Sequence, residues 1–462
     1  MVTVLGANTL SSGGYEVENS VKLFSNTLMT MTPSGAPTNA DINTISFWCK
    51  LSALGSSQSP IAAAGNAAAF SFRSDHKLQF YNAGGTLRTD RLFRDVSAWY
   101  HVVVATDTTD GTANDRLKMY INGVQETSFT SRTNPNQNAN THLGSAVEHH
   151  IGCNTNAANF FNGYLAEVCF IDGTALLPTS FGEFDDNGIW RPKDVSSLTY
   201  GKNGFYLEFK SGGNLGDEDK GTQTADWSET NLTVVDQSLD TCTNNYCVMN
   251  PLDNLFSNAT FSEGNLQYSS SRYASPTSTF GLTKGKWYFE IKCVSAAGTG
   301  GFVGITSATA TATNFEFGNT GGGRAGYVYA NNGGVYGNGG TLAGAGVFAE
   351  FGDDDNDLLM MAADLDNNKI YFGKNGTWGN SQNPVNGNNA LTIVALSTQD
   401  SGVWRFGAMG ETNNATIWQW NFGSPVHSID STQADDDGHG NFEYDVPAGY
   451  FALNSKNLAE YG

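Results

Sequence analysis

Residues 116–129 read Arg-Leu-Lys-Met-Tyr-Ile-Asn-Gly-Val-Gln-Glu-Thr-Ser-Phe. Leu117, Met119 and Ile121 alternate with Lys118 and Tyr120, the period of a strand with one apolar face. Asn122-Gly123 follows, two residues that accept the positive φ of a type I′ turn. The stretch predicts a β-hairpin. Comparable runs surround it: ISFWCKL at 45–51, AAFSFR at 68–73, KLQFYN at 77–82 and AWYHVVVATD at 98–107. HHIGC at 149–153 and FFNGYLAEVCFID at 160–172 extend the series; in the latter, Leu165 and Val168 are expected to point inward and Glu167 outward. Short strands separated by Gly, Ser and Asn clusters predict an antiparallel sandwich over residues 1–175.

Residues 176–260 are rich in turn formers but carry Trp190, Phe205, Tyr206 and Trp227, with one clear strand, GFYLEF at 204–209. That much aromatic surface predicts a connector packed on its neighbours rather than a free linker. Residues 261–462 return to strands. In KWYFEIK at 286–292, Trp287, Phe289 and Ile291 alternate with Tyr288, Glu290 and Lys292. In LLMMAADLDNNKIYFGKNGTW at 358–378, two strands flank a tight turn at Asp366-Asn367-Asn368. The expected class is all-β: two antiparallel β-sandwich domains joined by a loop-rich connector.

Composition narrows the function. The 462 residues contain 24 Lys and Arg against 45 Asp and Glu, a net charge of −21. Such a chain repels phosphate backbones and anionic bilayers, so neither nucleic acid nor a membrane is an expected partner. The longest apolar stretch, near Trp99 to Ala105, is too short to span a bilayer, and the N-terminal MVTVLGANTLSSGGY has no secretory pattern. Aromatics reach 12%, too many for a disordered chain, and the 54 glycines mark abundant loops. The Gly-rich stretch 318–346 has GxGxxG-like spacings but no following helix to bind phosphate.

Catalytic constellations are not evident. Cys49, Cys153, Cys169 and Cys293 lie in apolar runs and read as core thiols; Cys242 and Cys247, in TCTNNYC, are either a local disulfide or two free thiols. His101 reads as a packed strand residue, and His149-His150 face opposite sides of one strand. Glu183-Phe-Asp185 has Gly188 where a second catalytic Glu would stand, and Glu350 is not followed by an Asp two residues on. No G-x-S-x-G elbow is present. Calcium could be held at Asp107 and Asp110, at Asp353-Asp354-Asp355-Asn356-Asp357, or at Asp435-Asp436-Asp437, though solvated acidic loops read the same way. A sugar needs an aromatic face with polar flanks, which Tyr327, Tyr329, Tyr336, Asn331, Asn332 and Trp378 could supply, unless the aromatics fill the second sandwich.

Three resemblances add expectations. Trp99-Tyr100-His101-Val102-Val103-Val104, Leu117 to Gly123, Ile151-Gly152 and Phe161 to Glu167 resemble laminin G-like, concanavalin A-like lectin domains over about 45–172. Gly285 to Glu290, Val303-Gly304-Ile305, Ala363 to Asp366, Ile370-Tyr371-Phe372 and Lys374-Asn375-Gly376 resemble SPRY domains. These imply jelly-roll, concanavalin A-like sandwiches, the SPRY type binding through loops at one end. The whole arrangement is similar to phage structural proteins from marine viruses, at 14–24, 180–193 and 238–254. That similarity implies a virion component, assembled in the host cytoplasm and exposed on the particle. The implied function is a non-enzymatic tail-fibre or adhesin component that binds host surface glycan or protein. Its implied partners are other virion proteins of fibre, tail or capsid, and its default assembly is a trimer. A structural capsid decoration or fibre-attachment role is the rival, since no heptad, collagen repeat or β-helix period supplies a shaft. A glycan depolymerase ranks third.

Overall fold

In the computed structural model the predicted hairpin forms between Leu117–Ile121 and Val124–Gln125, with Asn122 and Gly123 at φ +49° and +78°. The structure describes residues 14–218, 220–221, 226–253, 259–270, 276–296, 301–307, 326–352, 357–399, 401–410 and 416–462. Most of the N-terminal MVTVLGANTLSSGGY, through residue 13, lies outside them. The chain divides into two units, Gly6–Asn245 and Tyr246–Gly462.

The first unit has a nine-stranded sheet in the order Val124–Gln125, Leu117–Ile121, Trp99–Asp107, Ile42–Leu51, Gly163–Asp172, Ser20–Leu23, Gln237–Ser238. Phe205–Leu207 and Lys220–Gly221 continue it beside Gly163–Asp172. An eight-stranded sheet faces it, in the order Phe129–Thr133, Gly85–Leu92, Lys77–Asn82, Ala68–Phe72, Ile61–Ala63, His149–Ile151, Leu28–Met31, Ser228–Thr230. Period-2 alternation fills the space between: Phe47 and Cys49 from one sheet meet Phe70 and Phe80 from the other, with Phe47 edge-on to Phe70 at 5.0 Å.

Beside the expected divisions 1–175, 176–260 and 261–462, the compact units meet at one boundary, after residue 245. Residues 176–245 belong to the first unit, as added strands and as a covering layer on the outer face of the nine-stranded sheet. That face carries Trp48, Lys50, Trp99, His101, Val103, Tyr120 and Cys169, all buried although they alternate away from the central core. Phe181, Trp190, Val195, Tyr200 and Cys242 cover it, which accounts for the aromatic content of the segment. Gly123 lies against the Trp190 ring; a Cβ there would stand 2.3 Å from Cε3.

Lys50 anchors the layer. Its Nζ donates to Asp240 Oδ2 at 2.6 Å and to Asn245 Oδ1 at 2.7 Å. Trp99 Nε1 donates to Asp240 Oδ1 at 3.1 Å, Ser20 Oγ to the Asp240 carbonyl, and Asn245 Nδ2 to the Ser97 carbonyl. Both charged side chains are 1% exposed. Cys242 and Cys247 flank the unit boundary, each buried in its own unit's core, and both are free thiols; no disulfide joins them.

The second unit packs a nine-stranded sheet, centred on Lys286–Ala296 between Thr416–Asn421 and Asp357–Asp364, against a five-stranded sheet centred on Gly326–Ala330, between Val335–Gly337 and Gly301–Thr306. Trp287, Phe289 and Ile291 point into the core as the alternation predicts, Phe289 meeting Phe406 at 4.2 Å. The turn at 366–368 joins Asp357–Asp364 to Lys369–Lys374, with Asn368 at φ +54°. Tyr288 and Glu290 alternate outward yet are buried, because Phe451–Ala452 pairs with Trp287–Tyr288 and the preceding loop covers the face. Glu290 accepts from Tyr288 Oη, Asn421 Nδ2 and the backbone N–H groups of Glu443 and Tyr444. Burial raises its pKa to about 6 against those bonds.

Removing one partner of a buried pair leaves the other charge uncompensated. Asp240→Ala is expected to lower the stability of the first unit by about 3–5 kcal/mol. The double variant Lys50→Met/Asp240→Leu should recover most of that loss, both read from urea-unfolding midpoints.

Candidate functional site

The six aromatic and amide candidates do not share one surface. Tyr327 and Tyr329 fill the second unit's core, at 3% and 1% exposure. Tyr327 Oη accepts from Val394 N at 2.9 Å, and Tyr329 Oη donates to the Ala349 carbonyl. Asn331 and Asn332 form the turn after Gly326–Ala330. Asn332 Oδ1 accepts from Gly334 N, and its Nδ2 donates to the half-buried Tyr336 at 3.3 Å. Trp378 belongs to the other sheet, edge-on to Tyr288 at 6.4 Å. Residues 318–325 of the glycine-rich stretch lie outside the described residues.

The acidic candidates serve turns. Asp107 Oδ1 accepts from Thr109 N and Oγ1, and Asp110 Oδ1 from Thr112 N. Asp435 accepts from the N–H groups of Asp437, His439 and Ala452 and from Asn457 Nδ2, while Asp436 accepts from Gly449 N and Asp437 from Tyr461 Oη. Asp357 is paired with Lys374 at 2.9 Å; residues 353–356 lie outside the described residues. Among the described residues, no group of three His, Cys, Asp or Glu could hold a metal ion.

Two titratable groups, His101 and Glu167, are sealed under the covering layer. His101 stacks between Trp48, at 4.6 Å, and Trp190, at 5.9 Å. Trp190 Nε1 donates to its Nδ1 at 2.9 Å, so Nε2 carries the proton and donates to Ser46 Oγ at 2.8 Å. Burial drives its pKa down to about 3, and it stays neutral. Glu167 points away from the central core, as the alternation predicts, but is buried under this layer rather than exposed. The pairing register slips between Ala166 and Cys169, and Glu167 sits in the slip at φ +51°. The bulge shifts the alternation, so Leu165 and Val168 both reach the core. Tyr206 Oη donates to Glu167 Oε2 at 2.7 Å, with Tyr15 Oη 3.2 Å from Tyr206 Oη. Burial raises the Glu167 pKa to about 8.

A thiol, an imidazole and a carboxylate also line up: Cys153 Sγ is 3.5 Å from His150 Nδ1, and His150 Nε2 is 2.9 Å from Glu148 Oε2. The thiol is buried, and burial raises its pKa to about 11; it donates to the imidazole as a packed thiol, not as a thiolate nucleophile.

The outer face of the eight-stranded sheet is different. Leu78, Phe80, Phe70, Phe72 and Leu87 point to the core, so Gln79, Tyr81, Arg73, Thr86 and Arg88 share the opposite face. Register places Tyr81 beside Ala69 and Thr86, and Gln79 beside Ser71 and Arg88. The three strands give a patch roughly 10 Å across. All five side chains are half-buried. Among the described residues, the side chains of Arg73, Gln79, Tyr81 and Thr86 make no hydrogen bond or ion pair. Arg88 is paired with Asp75 at 2.6 Å, and its Nε is buried without a partner. The signal lies in KLQFYN, whose alternation separates Gln79 and Tyr81 from Leu78 and Phe80.

Residues 25–178 match the laminin G-type family model described as the concanavalin A-like lectin/glucanases superfamily. The segment is similar to laminin G domains. Among solved structures, the SPRY domain of human HERC1 is 16% identical, over 37% of this chain and 96% of that one, with a TM-score of 0.28. A putative carbohydrate binding protein from Bacteroides ovatus is 14% identical, over 48% of this chain and 60% of that one, at 0.36. Domains LG4-5 of the mouse laminin alpha1 chain are 11% identical, over 94% of this chain and 88% of that one, at 0.29. No curated protein matches the chain.

Glu167 gives a pH signature. Its folded pKa, near 8, lies above the unfolded value of 4.5, so the folded state holds the proton more tightly. Its stabilising contribution is complete below pH 4.5 and is lost as pH rises toward 8. Between those values stability should fall by about 1.4 kcal/mol per pH unit from this group. Glu167→Gln should flatten that slope in urea titrations run at successive pH values.

Proposed function

We propose that this protein is a non-catalytic binding protein that holds a glycan on the outer face of its eight-stranded sheet. The carrying observation is the set of unpartnered side chains at Arg73, Gln79, Tyr81 and Thr86. Tyr81 offers a ring face to a sugar, and Gln79 and Thr86 offer free donors and acceptors beside it. The laminin G-type match over residues 25–178 includes every residue of the patch. Catalysis is disfavoured on physical grounds: Glu167 and Glu290, the carboxyls with raised pKa, are 6% and 0% exposed and cannot reach a glycosidic oxygen.

The proposed setting is a phage particle, with the protein in a tail fibre or acting as an adhesin against the host surface, seated on other virion proteins as a trimer. Its support is the sequence similarity at 14–24, 180–193 and 238–254. A purely structural role on the particle is the second reading, favoured by the lack of any shaft repeat.

Calorimetric titration of the full chain with a panel of oligosaccharides tests the binding reading. Tyr81→Ala should weaken binding at least tenfold, whereas Tyr336→Ala and Trp378→Ala leave it unchanged. No reducing ends should be released. Binding indifferent to Tyr81→Ala would refute the site, and a folded protein that binds no glycan would leave the structural role standing.

A further inference from the structure

The cations on this face point to a ligand class. The chain as a whole, at −21, repels polyanions, so recognition of an acidic group needs a local cation free of internal partners. Three cations lie on or beside the patch. Lys77 is committed to Asp90, 3.6 Å away, and to Thr130 Oγ1. Arg88 is committed to Asp75 at 2.6 Å. Arg73 has no ion-pair or hydrogen-bond partner among the described residues. It stands one alternation beyond Ser71 on the same face, half-buried, with its backbone N–H fixed to the Lys77 carbonyl at 2.9 Å. Its charge is felt at the Tyr81 hydroxyl, where it opposes the rise caused by burial.

A guanidinium with all its donors unused, held beside an aromatic ring and two free polar side chains, is a receptor for an oxyanion carried on a sugar. The planar fork pairs with two oxygens at once, and partial burial strengthens the pairing against solvent. We infer that the glycan taken by this face is acidic, its carboxylate or sulfate group meeting Arg73 while a neighbouring ring lies on Tyr81. This rests on the binding reading above and narrows it to a substrate class.

The experiment compares three probes on the full chain by calorimetry: tetragalacturonate, a sulfated galactan tetrasaccharide and neutral cellotetraose. At least one acidic probe should bind tenfold or more tightly than the neutral one, and the preference should shrink as NaCl is raised. Arg73→Gln should abolish the preference and leave the circular dichroism spectrum unchanged; Arg73→Lys should restore it only in part, since an ammonium lacks the fork. The two acidic probes distinguish carboxylate from sulfate, and Arg73-dependent preference for either supports the inference. Equal binding of acidic and neutral probes, or an acidic preference that survives Arg73→Gln, would overturn it while the glycan-binding reading stands. Failure of every probe, together with the wider panel, would overturn both.

Discussion

The ion pair between Lys50 and Asp240 governs the first unit. It joins a central strand to a segment 190 residues away in sequence, in a place where neither charge meets water. Such a pair repays its desolvation only if its remaining donors and acceptors are also filled. Asn245 takes a second donor of Lys50 and Trp99 the other carboxylate oxygen, while Ser20 and Ser238 hold the backbone of Asp240 in place. The consequence is a sheet closed on both faces: one by the central core, the other by a layer of aromatics that the pair ties to the sheet. Closing that face leaves the outer face of the opposite sheet as the broad polar surface of the unit.

Buried carboxyls illustrate three solutions to one problem. Asp240 has a cation. Glu290 has four neutral donors, two of them backbone N–H groups, and these tie the C-terminal segment to its strand. Glu167 receives a tyrosine hydroxyl but lies near Glu208 and Asp194, and with no cation among its influences it keeps its proton into the neutral range. The strained backbone at Glu167 marks where Ser20–Leu23 hands over to Phe205–Leu207 along the same flank of Gly163–Asp172. A bulge at that handover lets one long strand serve two partners, and the side chain at the slip stays on the outer face, under the covering layer.

Local pattern in the chain accounts for much of this. Period-2 alternation in 45–51, 117–121 and 286–292 assigns the inward residues correctly, because a half-buried strand must separate its apolar and polar positions. The Asn-Gly and Asp-Asn-Asn turns are legible because few residues accept a positive φ. Glu167 escapes the pattern only in its burial, because alternation does not say what covers an outward face. The stretch 176–245 escapes it because turn-rich sequence does not say which sheet it lies on. Tyr327 and Tyr329 look like loop aromatics but are strand residues whose hydroxyls reach backbone partners across the core.

Sequence alone determined the all-β class, the hairpins, the buried thiols and the acidic surface, since these follow from local periodicity, turn chemistry and charge counting. Only tertiary structure decided which of the outward-facing residues are covered. Trp48, His101, Glu167 and Glu290 alternate away from their cores, or slip out of phase with them, and are sealed. Tyr81 and Arg73 alternate away in the same manner and stay open. The difference lies in long-range packing: a covering layer is fixed by contacts nearly two hundred residues distant, and no local pattern encodes them.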